Sequence, residues 1–496
     1  MRAFASSFHA WKSLERQEGI KVPHGLVFPL AVVEEIGRGY GLAMVAEEHA
    51  AEPARSFDAI MISVLDSRCM VDAAKHFARW GVPFRRRDRP VGSWPLVWCG
   101  GQGLHNPLPM APVFDLCLIG DAEEPLPKLL ALWIEHGNST RFLDEAARVE
   151  GVYVPSVHDR RRDTITQSIA RDIGVTLRAS IDVSHNRTRR IEIARGCKFK
   201  CSFCSLGWRT PVRENSANDV LAAIRTSPKT VHLQAGDAES HSGIDEIRKG
   251  LRDHGGYDQG WTGRLDTLLE NPDQTIPGGK RYAFGVEGVS HRIRAAVGKA
   301  YLDDQRLIDD TVRFFASIEG DGKGRAAWHL VTGWPTEEFS EIKSLMHIVD
   351  EIDRRMRGKT ARNLSIHWQP FQPLPGTPMQ WCAAGRGARL HADAMKARGT
   401  WCRVRSIGGR TDAMASLCAV LARSDERGAD LLEAVADRRV GIDEAQEISG
   451  SSLGAIDPDA SLPWDFVRQH YDKPTLRRAY DATMRRFTDG PGRGGR

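Results

Sequence analysis

Three cysteines lie within a short stretch of the chain, at Cys197, Cys201 and Cys204, with the spacing C-x₃-C-x₂-C. Three thiolates can hold three irons of a cubane [4Fe-4S] cluster and leave the fourth iron open, whereas clusters that only carry electrons are usually held by four protein ligands. A structural zinc ion usually has four ligands in C-x₂-C pairs, and no second cysteine pair lies nearby. These three residues, called the triad below, therefore predict an iron-sulfur cluster with an open iron.

An open iron can chelate the amino and carboxylate groups of S-adenosylmethionine, and one-electron reduction then cleaves the sulfonium to methionine and a 5′-deoxyadenosyl radical. The surrounding sequence, RGCKFKCSFCSLGW, resembles the signature of the radical S-adenosylmethionine (radical SAM) superfamily. In that family the aromatic residue at the position of Phe203 packs by the adenine. Residues 284–299, 328–338 and 365–381 are similar to the regions of the fourth, fifth and sixth barrel strands. Gly333, in the second of these segments, fits a strand end where backbone approaches adenine, or a structural turn.

The resemblance also implies a pocket for the charged end of S-adenosylmethionine. The family binds the amino group with a G-G-E-like segment after the second strand, and Gly236 and Asp237 stand there in the altered segment QAGDAE. Glu287 would hold a ribose hydroxyl or the ammonium group, while Ser290 and Arg292 would meet the carboxylate. The alternative for this last segment is a surface helix start with ordinary charges.

The triad directly follows the first of six apolar runs that alternate with helical patterns between residues 185 and 385. Alternation of this kind is typical of parallel strands in a barrel, with functional groups on the loops after each strand. It predicts a partial (β/α)6 barrel, which is the radical SAM barrel that the resemblance implies. The strand candidates are residues 190–196, 230–236, 261–266, 282–288, 326–333 and 365–373.

Two further regions flank the predicted barrel. Residues 25–135 alternate short apolar runs such as DAIMISVL and PLVWCGG with the helical run CMVDAAKHFARWG. This pattern predicts a Rossmann-like parallel sheet in an N-terminal domain of residues 1–150, with a ligand crevice at the carboxyl edge of its strands. Residues 386–496 are polar with a helical pattern and predict a helical C-terminal extension. The expected fold class is α/β.

Residues 25–135 resemble the cobalamin-binding-type domain that precedes many radical SAM barrels. Cobalamin proteins with a displaced lower ligand carry D-x-H-x-x-G after their first strand, and residues 1–150 contain no such segment. The histidines there, His9, His24, His49, His76 and His105, occur singly. We therefore expect a bound corrin to lack a histidine ligand, and the sequence leaves open whether a corrin binds.

Composition bounds the class of protein. With 496 residues, 41% of them hydrophobic, the chain can bury large cores in several domains. The start of the chain lacks the apolar stretch of a signal peptide, and residues 25–33 are too short to span a bilayer, so we expect a soluble, cytoplasmic protein. A net charge of +5 is compatible with a nucleic-acid partner but gives no support for one. The family resemblance implies a reducing partner such as flavodoxin or ferredoxin.

Two alternatives remain open at this point. A tRNA-modifying methylthiotransferase joins an N-terminal α/β domain to a similar barrel and needs three further cysteines, for which Cys69, Cys99 and Cys117 are available. Inert buried cysteines also lie in such apolar runs. The other alternative is a non-catalytic cluster-bearing binding or sensor protein. The substrate is chosen by loop shape, so no motif identifies it or the outcome of the reaction.

Overall fold

The computed structural model describes most of the chain in segments separated by gaps. These segments are residues 1–7, 28–47, 50–179, 188–258, 261–269, 281–318, 324–356, 362–399, 401–406 and 412–489. Among the helices described, none combines the length and the apolar run that a bilayer crossing requires.

The described strands and helices alternate along much of the chain. The strands are β1 (Arg2–Ser7), β2 (Ala43–Ala46), β3 (Ala59–Ser63), β4 (Leu96–Gly100), β5 (Leu116–Leu118), β6 (Val152–Tyr153), β7 (Ile165–Thr166), β8 (Thr188–Glu192), β9 (Ala194–Arg195), β10 (Arg213–Glu214), β11 (Thr230–Gln234), β12 (Tyr257–Asp258), β13 (Trp261–Gly263), β14 (Arg281–Glu287), β15 (Gly324–Thr332), β16 (Arg362–Pro370), β17 (Arg403–Ser406) and β18 (Val467–Arg468). The α-helices are α1 (Phe28–Arg38), α2 (Ser67–Trp80), α3 (Pro125–His136), α4 (Thr140–Ala146), α5 (Ser205–Trp208), α6 (Ala217–Arg225), α7 (Ile244–Asp253), α8 (Leu265–Leu269), α9 (His291–Ala296), α10 (Asp304–Ala316), α11 (Ile342–Met356), α12 (Ala388–Ala397), α13 (Asp412–Arg423), α14 (Gly428–Asp437), α15 (Ile442–Ser449) and α16 (Lys473–Asp489).

The N-terminal sheet has the strand order β2-β1-β3-β4-β5-β6. Its first five strands are parallel, and β6 pairs antiparallel with β5. The order 2-1-3-4-5 is a doubly wound arrangement in which ligands bind at the carboxyl ends of the strands. The predicted parallel α/β sheet is therefore confirmed.

Local sequence explains most of this sheet. Every residue of β3 is buried, as expected for a strand covered on both faces. Helix α2 begins where the Asp66 carboxylate accepts the backbone N–H groups of Arg68 and Cys69, and it ends at Gly81 in the left-handed conformation. Strand β1 was not predicted, because its Ala- and Ser-rich sequence carries little strand signal, yet it lies between β2 and β3.

The second half of the chain forms two parallel sheets. One has the order β12-β11-β8, and the other runs in chain order from β13 to β17. Each of the six predicted strands overlaps one of these strands. Strand β17 is an additional strand, paired with β16 in a region predicted to be helical; its alternating RVRS sequence lies on a sheet edge, where polar side chains are tolerated.

The two faces of the five-stranded sheet differ. Phe284, Trp328 and Ile366 belong to one apolar core with α10 and α11, so this face is covered by helices. Because side chains alternate along a strand, Gly285 and Glu287 lie on the opposite face. The polar groups of the candidate site come from this second face and from the loops that follow the strands.

The C-terminal region packs on both halves of the molecule. Helices α13, α14 and α15 share an apolar core with α2 and the N-terminal sheet. Arg85 forms ion pairs with Asp430 at 2.7 Å and Glu433 at 2.5 Å across this contact. Strand β18 pairs with β7, and Phe487 of α16 enters the core of the five-stranded sheet. The predicted helical extension thus contains two short strands in addition to its helices.

Candidate functional site

The triad lies in the loop between β9 and α5. Gly196 opens the loop with φ +84°, and a Cβ there would lie 2.6 Å from the Pro211 carbonyl oxygen, so the position requires glycine. Cys204 is the residue before the first residue of α5. The Cys204 N–H and the Trp208 Nε1–H both donate to the Cys201 carbonyl, at 3.1 and 3.0 Å. These bonds form a turn between Cys201 and Cys204 and tie it to the end of α5.

The three thiols are also electrostatic neighbours. Burial raises the pKa of each thiol, that of Cys204 to about 12, and Cys201 further raises the pKa of both other cysteines. Lys299 and Arg264 lower the pKa of Cys201. Since thiols bind metal as thiolates, these cations favour the form that a metal centre needs. In the described residues no group of three or more His, Cys, Asp or Glu is arranged to hold a single metal ion, so the cluster assignment rests on spacing and surroundings.

The segment after β11 packs directly on the triad loop. A Cβ on Gly236 would lie 2.7 Å from the Gly196 carbonyl oxygen and 3.1 Å from the Cys197 Cβ, so only glycine fits there. Asp237 is buried, and its carboxylate accepts the Arg264 N–H at 3.2 Å and the Thr267 hydroxyl at 3.4 Å. These contacts hold the start of α8. The proposed contact of Gly236 and Asp237 with an amino group stays a prediction.

Glu287 ends β14 beside the triad. It is a non-glycine residue with φ +69°, next to a register shift between β14 and β15, and such strain is concentrated at functional sites. Its Oε1 lies 3.1 Å from the Nζ of Lys299, whose side chain is only 6% exposed. Burial alone would lower the pKa of Lys299, but Glu287 and Cys201 raise it above its ordinary value. A Cβ on Gly285 would collide with both charged groups, so this glycine makes room for the pair.

Lys299 is a charged residue that sequence reasoning missed. It ends the segment FGVEGVSHRIRAAVGK, directly after Gly298, where a Cβ would lie 3.4 Å from the Cys201 Cα. A lone lysine at a helix end carries no signal of burial. Lys299 is recognised as buried and close to the triad only once the fold places this helix end against the triad loop.

Ser290 and Arg292 have partners elsewhere. Ser290 caps α9, and its hydroxyl donates to Glu341 Oε1 at 2.7 Å. The Arg292 guanidinium donates to both oxygens of the Glu341 carboxylate, at 3.0 and 2.6 Å, and to the carbonyls of Thr336 and Phe487, each at 2.9 Å. These contacts join α9, the short turn before α11, and α16. A role of Ser290 and Arg292 toward a cofactor carboxylate stays a prediction.

Aromatic side chains lie beside the triad at the end of β15. The rings of Phe203 and Trp334 meet edge to face with centroids 5.2 Å apart, and Trp334 also packs on Phe371 at 4.8 Å. Gly333 has φ +77°, and a Cβ there would lie 2.4 Å from the Arg386 backbone nitrogen. The structure thus brings Phe203 and Gly333 together through Trp334, which sequence reasoning did not single out.

Glu337 holds the turn that carries these aromatic residues. Its carboxylate accepts the N–H groups of Gly333 and Trp334, the latter at 3.0 Å, and lies 3.5 Å from His391 Nε2. Burial raises the pKa of Glu337 to about 7 and lowers that of His391. Glu337 is therefore poised to change charge near neutral pH.

A cavity of about 460 Å³ separates the N-terminal sheet from the triad loop. One wall is formed by residues 61–65, 98–102 and 118–123, at the carboxyl edge where the sequence predicts a ligand crevice, and the other includes Arg190 and Leu206. Five side-chain groups of its lining are buried without a hydrogen-bond partner among the described atoms: the Ser63 hydroxyl, the Trp98 indole N–H, the side-chain carbonyls of Gln167 and Gln234, and Glu123 Oε1, which is in an ion pair with Arg195. Such groups are costly to bury unless a ligand or water pairs with them.

A buried ionic network crosses the same boundary. Arg195 forms ion pairs with Asp121 at 2.9 Å, Glu123 at 2.8 Å and Glu192 at 2.8 Å, although the contact with Glu123 Oε1 is out of hydrogen-bond alignment. Arg213 also pairs with Asp121, at 2.5 Å. Burial lowers the pKa of Arg195, but the three carboxylates together raise it above its ordinary value. The network joins the loop after β5 to the strand that leads into the triad.

The remaining cysteines lie in apolar surroundings. Cys69, Cys99 and Cys117 all belong to the core between the N-terminal sheet, α2 and the C-terminal helices. Burial is the largest of the effects that raise the pKa of each of these thiols. Inert buried cysteines have these surroundings. The structure therefore gives the methylthiotransferase alternative no support in the described residues.

Two of the five N-terminal histidines lie in described segments. His76 Nδ1 contacts Glu47 Oε1 at 2.8 Å, and His105 is buried, which lowers its pKa well below the ordinary value. Neither lines the cavity. His9, His24 and His49 lie outside the described residues.

Comparison with known proteins adds one family match. A family model described as "Radical SAM proteins, N-terminal" matches residues 26–155, a segment that ends before the triad. This match supports a relationship with the radical SAM superfamily. No curated protein matches the chain.

Among solved structures, a crystal structure of SuiB from Streptococcus suis matches at 12% sequence identity and a TM-score of 0.29. The match covers 57% of this chain and 65% of the SuiB chain, so it spans less than two thirds of that protein. A TM-score of this size does not establish a common fold.

Proposed function

We propose that this chain is a radical SAM enzyme that holds a [4Fe-4S] cluster with Cys197, Cys201 and Cys204. The observation that carries the proposal is the position of the triad loop, which follows β8 of a parallel sheet by way of the short strand β9, with Gly236 packed on it and the pair Glu287 and Lys299 beside it. Loops after parallel strands supply active-site groups in α/β barrels. We take the three- and five-stranded sheets as parts of one partial barrel around this site.

The residues near the triad suit S-adenosylmethionine. Lys299 offers a buried cation to a carboxylate, and Glu287 offers an anion to an ammonium group or a ribose hydroxyl. Phe203 and Trp334 offer aromatic surface beside the close backbone approach at Gly333, as an adenine requires. When bound, a reduced cluster supplies one-electron cleavage of the sulfonium, which gives methionine and a 5′-deoxyadenosyl radical. The chain's own residues orient the cofactor and surround the reacting atoms.

The cavity is the second part of the proposal. Its walls are largely apolar, and the unpaired side-chain carbonyls of Gln167 and Gln234 call for hydrogen-bond donors. A corrin is a broad apolar ring that carries amide donors, so cobalamin fits this chemistry, and the family match over residues 26–155 is compatible with it. We further propose that a corrin bound here would lack a histidine ligand, because residues 1–150 contain no D-x-H-x-x-G segment. With cobalamin we expect methyl transfer or a rearrangement; without it, hydrogen abstraction followed by another bond change.

The wider setting is also proposed. We assign residues 1–150 to a cobalamin-binding-type domain, 185–385 to the barrel and 386–496 to an extension that packs on both. A reducing protein such as flavodoxin or ferredoxin would supply the electron, in the cytoplasm. The alternation of strands and helices and the family resemblance support these assignments.

Anaerobic purification followed by iron, sulfide and corrin analysis of one sample tests both parts. We expect about four irons per chain and absorbance near roughly 400 nm. Cys201→Ala should lose both, whereas Cys382→Ala, which changes a buried core thiol, should keep them. Iron retained at the wild-type level by Cys201→Ala would contradict the ligand assignment. Failure of the loaded, reduced protein to cleave S-adenosylmethionine, even with candidate substrates added, would favour the sensor alternative.

A further inference from the structure

Arg264 lies between two aromatic rings next to the triad. Its guanidinium carbon is 3.8 Å from the ring centroid of Phe199 and 3.9 Å from that of Tyr301. Phe199 is the central residue of the C-x₃-C part of the triad loop, whereas Tyr301 follows α9. A planar guanidinium stacks well between two aromatic faces, so this stack connects the loop to the rest of the barrel.

The position of Arg264 is itself fixed by two aspartates. Its Nε and Nη2 donate to the two oxygens of Asp266, at 3.1 and 2.8 Å, and its backbone N–H donates to Asp237 at 3.2 Å. The guanidinium therefore cannot turn away from Phe199 without breaking a two-point ion pair.

The charge of Arg264 is close enough to the triad to matter. It stacks on Phe199, which lies two residues from both Cys197 and Cys201 in the triad loop. The reduction potential of an iron-sulfur cluster depends on nearby charge and on hydrogen bonds to its sulfurs. A cation there favours the reduced, more negative state of a cluster.

We propose that Arg264 is a positioning residue that clamps the triad loop through the stack with Phe199 and Tyr301 and raises the reduction potential of the bound cluster. The clamp concerns the protein alone, and only its effect on potential rests on the proposed function. A purely structural ion pair between Arg264 and Asp266 would stabilise α8 without holding the loop, and the two roles predict different outcomes.

Hydrogen exchange of the iron-free full-length chain tests the clamp. Arg264→Lys keeps the charge but loses the planar stack, and Tyr301→Leu removes one ring; each should speed exchange of the amides of residues 197–204 about tenfold. Tyr301→Phe keeps the ring and should exchange like the wild type. Arg2→Lys is a matched control, because Arg2 also lies over a ring, Phe57 at 4.8 Å, and pairs with Glu52 at 3.0 Å far along the sequence from the triad.

Unchanged exchange in Tyr301→Leu would overturn the clamp, as would equally fast exchange in Tyr301→Phe and Tyr301→Leu. Strand β3 serves as an internal reference for exchange far from the triad loop. If Arg264→Lys speeds exchange in β3 too, that variant destabilises the whole fold, and the comparison of Tyr301→Leu with Tyr301→Phe then tests the clamp. This arm needs no cluster, so it gives a result even if the wild type binds no iron and the proposed function fails.

Potentiometry of the iron-loaded protein, followed by paramagnetic resonance, tests the charge. Arg264→Gln should shift the cluster potential to a more negative value, whereas Arg264→Lys should stay near the wild type. Equal potentials in all three proteins would refute the electrostatic role of Arg264 while leaving the exchange result on the clamp intact.

Discussion

Replacing Arg195 should weaken the contact between the two halves of the molecule more than any exposed charge change. The Arg195 side chain is 19% exposed, and its partners Asp121, Glu123 and Glu192 are 12%, 9% and 7% exposed. In Arg195→Gln, Asp121 keeps Arg213, but Glu123 and Glu192 lose their only ion-pair partner in the described residues. Removing one partner of a buried pair costs about 3–5 kcal/mol, because the remaining charge stays buried.

Urea unfolding of the iron-free chain, followed by tryptophan fluorescence and circular dichroism, measures this loss. Arg148→Gln is the matched control: its ion pair with Glu145 has the same kind of groups, but its side chain is 72% exposed, so we expect a loss of less than about 1 kcal/mol. The double variant Arg195→Gln, Glu192→Gln should recover part of the loss, since one uncompensated charge is gone.

The sign of the pH dependence gives a second check. Burial raises the pKa of Asp121, but Arg195 and Arg213 lower it below its ordinary value overall. This stabilisation is present above the pKa of the unfolded carboxyl and is lost as pH falls through the folded pKa. The difference in unfolding free energy between wild type and Arg195→Gln should therefore shrink as pH falls below the ordinary carboxyl pKa values of about 4. The reasoning would be refuted if Arg195→Gln lowered the free energy of unfolding by less than about 1 kcal/mol at neutral pH. It would also be refuted if the difference in unfolding free energy between the two proteins grew as pH fell.

Three further outcomes are expected. Lys299→Met should weaken S-adenosylmethionine binding by about 1.5–3 kcal/mol in anaerobic calorimetry with iron content unchanged; if Arg292→Ala weakens binding instead, the sequence-based assignment of the carboxylate is right. The pKa of Glu337 is raised from an ordinary 4.5 to about 7, so the protonated carboxyl stabilises the folded state at low pH, and this stabilisation is lost as pH rises through 7. In the wild type the urea midpoint of unfolding should therefore decrease between about pH 5 and pH 8, and Glu337→Gln should abolish this pH dependence. Cys402→Ala should keep the cluster absorbance that Cys197→Ala loses, and the reverse result would overturn the ligand assignment.

Short-range patterns explain what could be predicted from the sequence. The triad is readable because its residue type and spacing are rare, and strands such as β3 and β15 are readable because buried parallel strands are apolar runs. Strand β1 was missed because Ala and Ser carry little strand propensity, although it has a central place in the sheet.

The candidate site was harder to predict because its charges find partners far away in the sequence. Arg292 was assigned by its place after a strand, yet Glu341, 49 residues later, takes up its guanidinium. Arg264 and Phe199 meet only in the folded chain, and the burial of Lys299 depends on the triad loop. Such contacts leave no periodic pattern in the sequence.

The packing of α13, α14 and α15 on the N-terminal half has a consequence for synthesis on the ribosome. Val420, Leu432 and Leu453 complete the same apolar core as Phe77 of α2. The N-terminal half therefore emerges several hundred residues before the side chains that cover it, and contacts of such high sequence separation form slowly. During that interval the uncovered surface is exposed to aggregation. We expect chaperone dependence of the nascent chain to end only after residues 412–453 have left the exit tunnel.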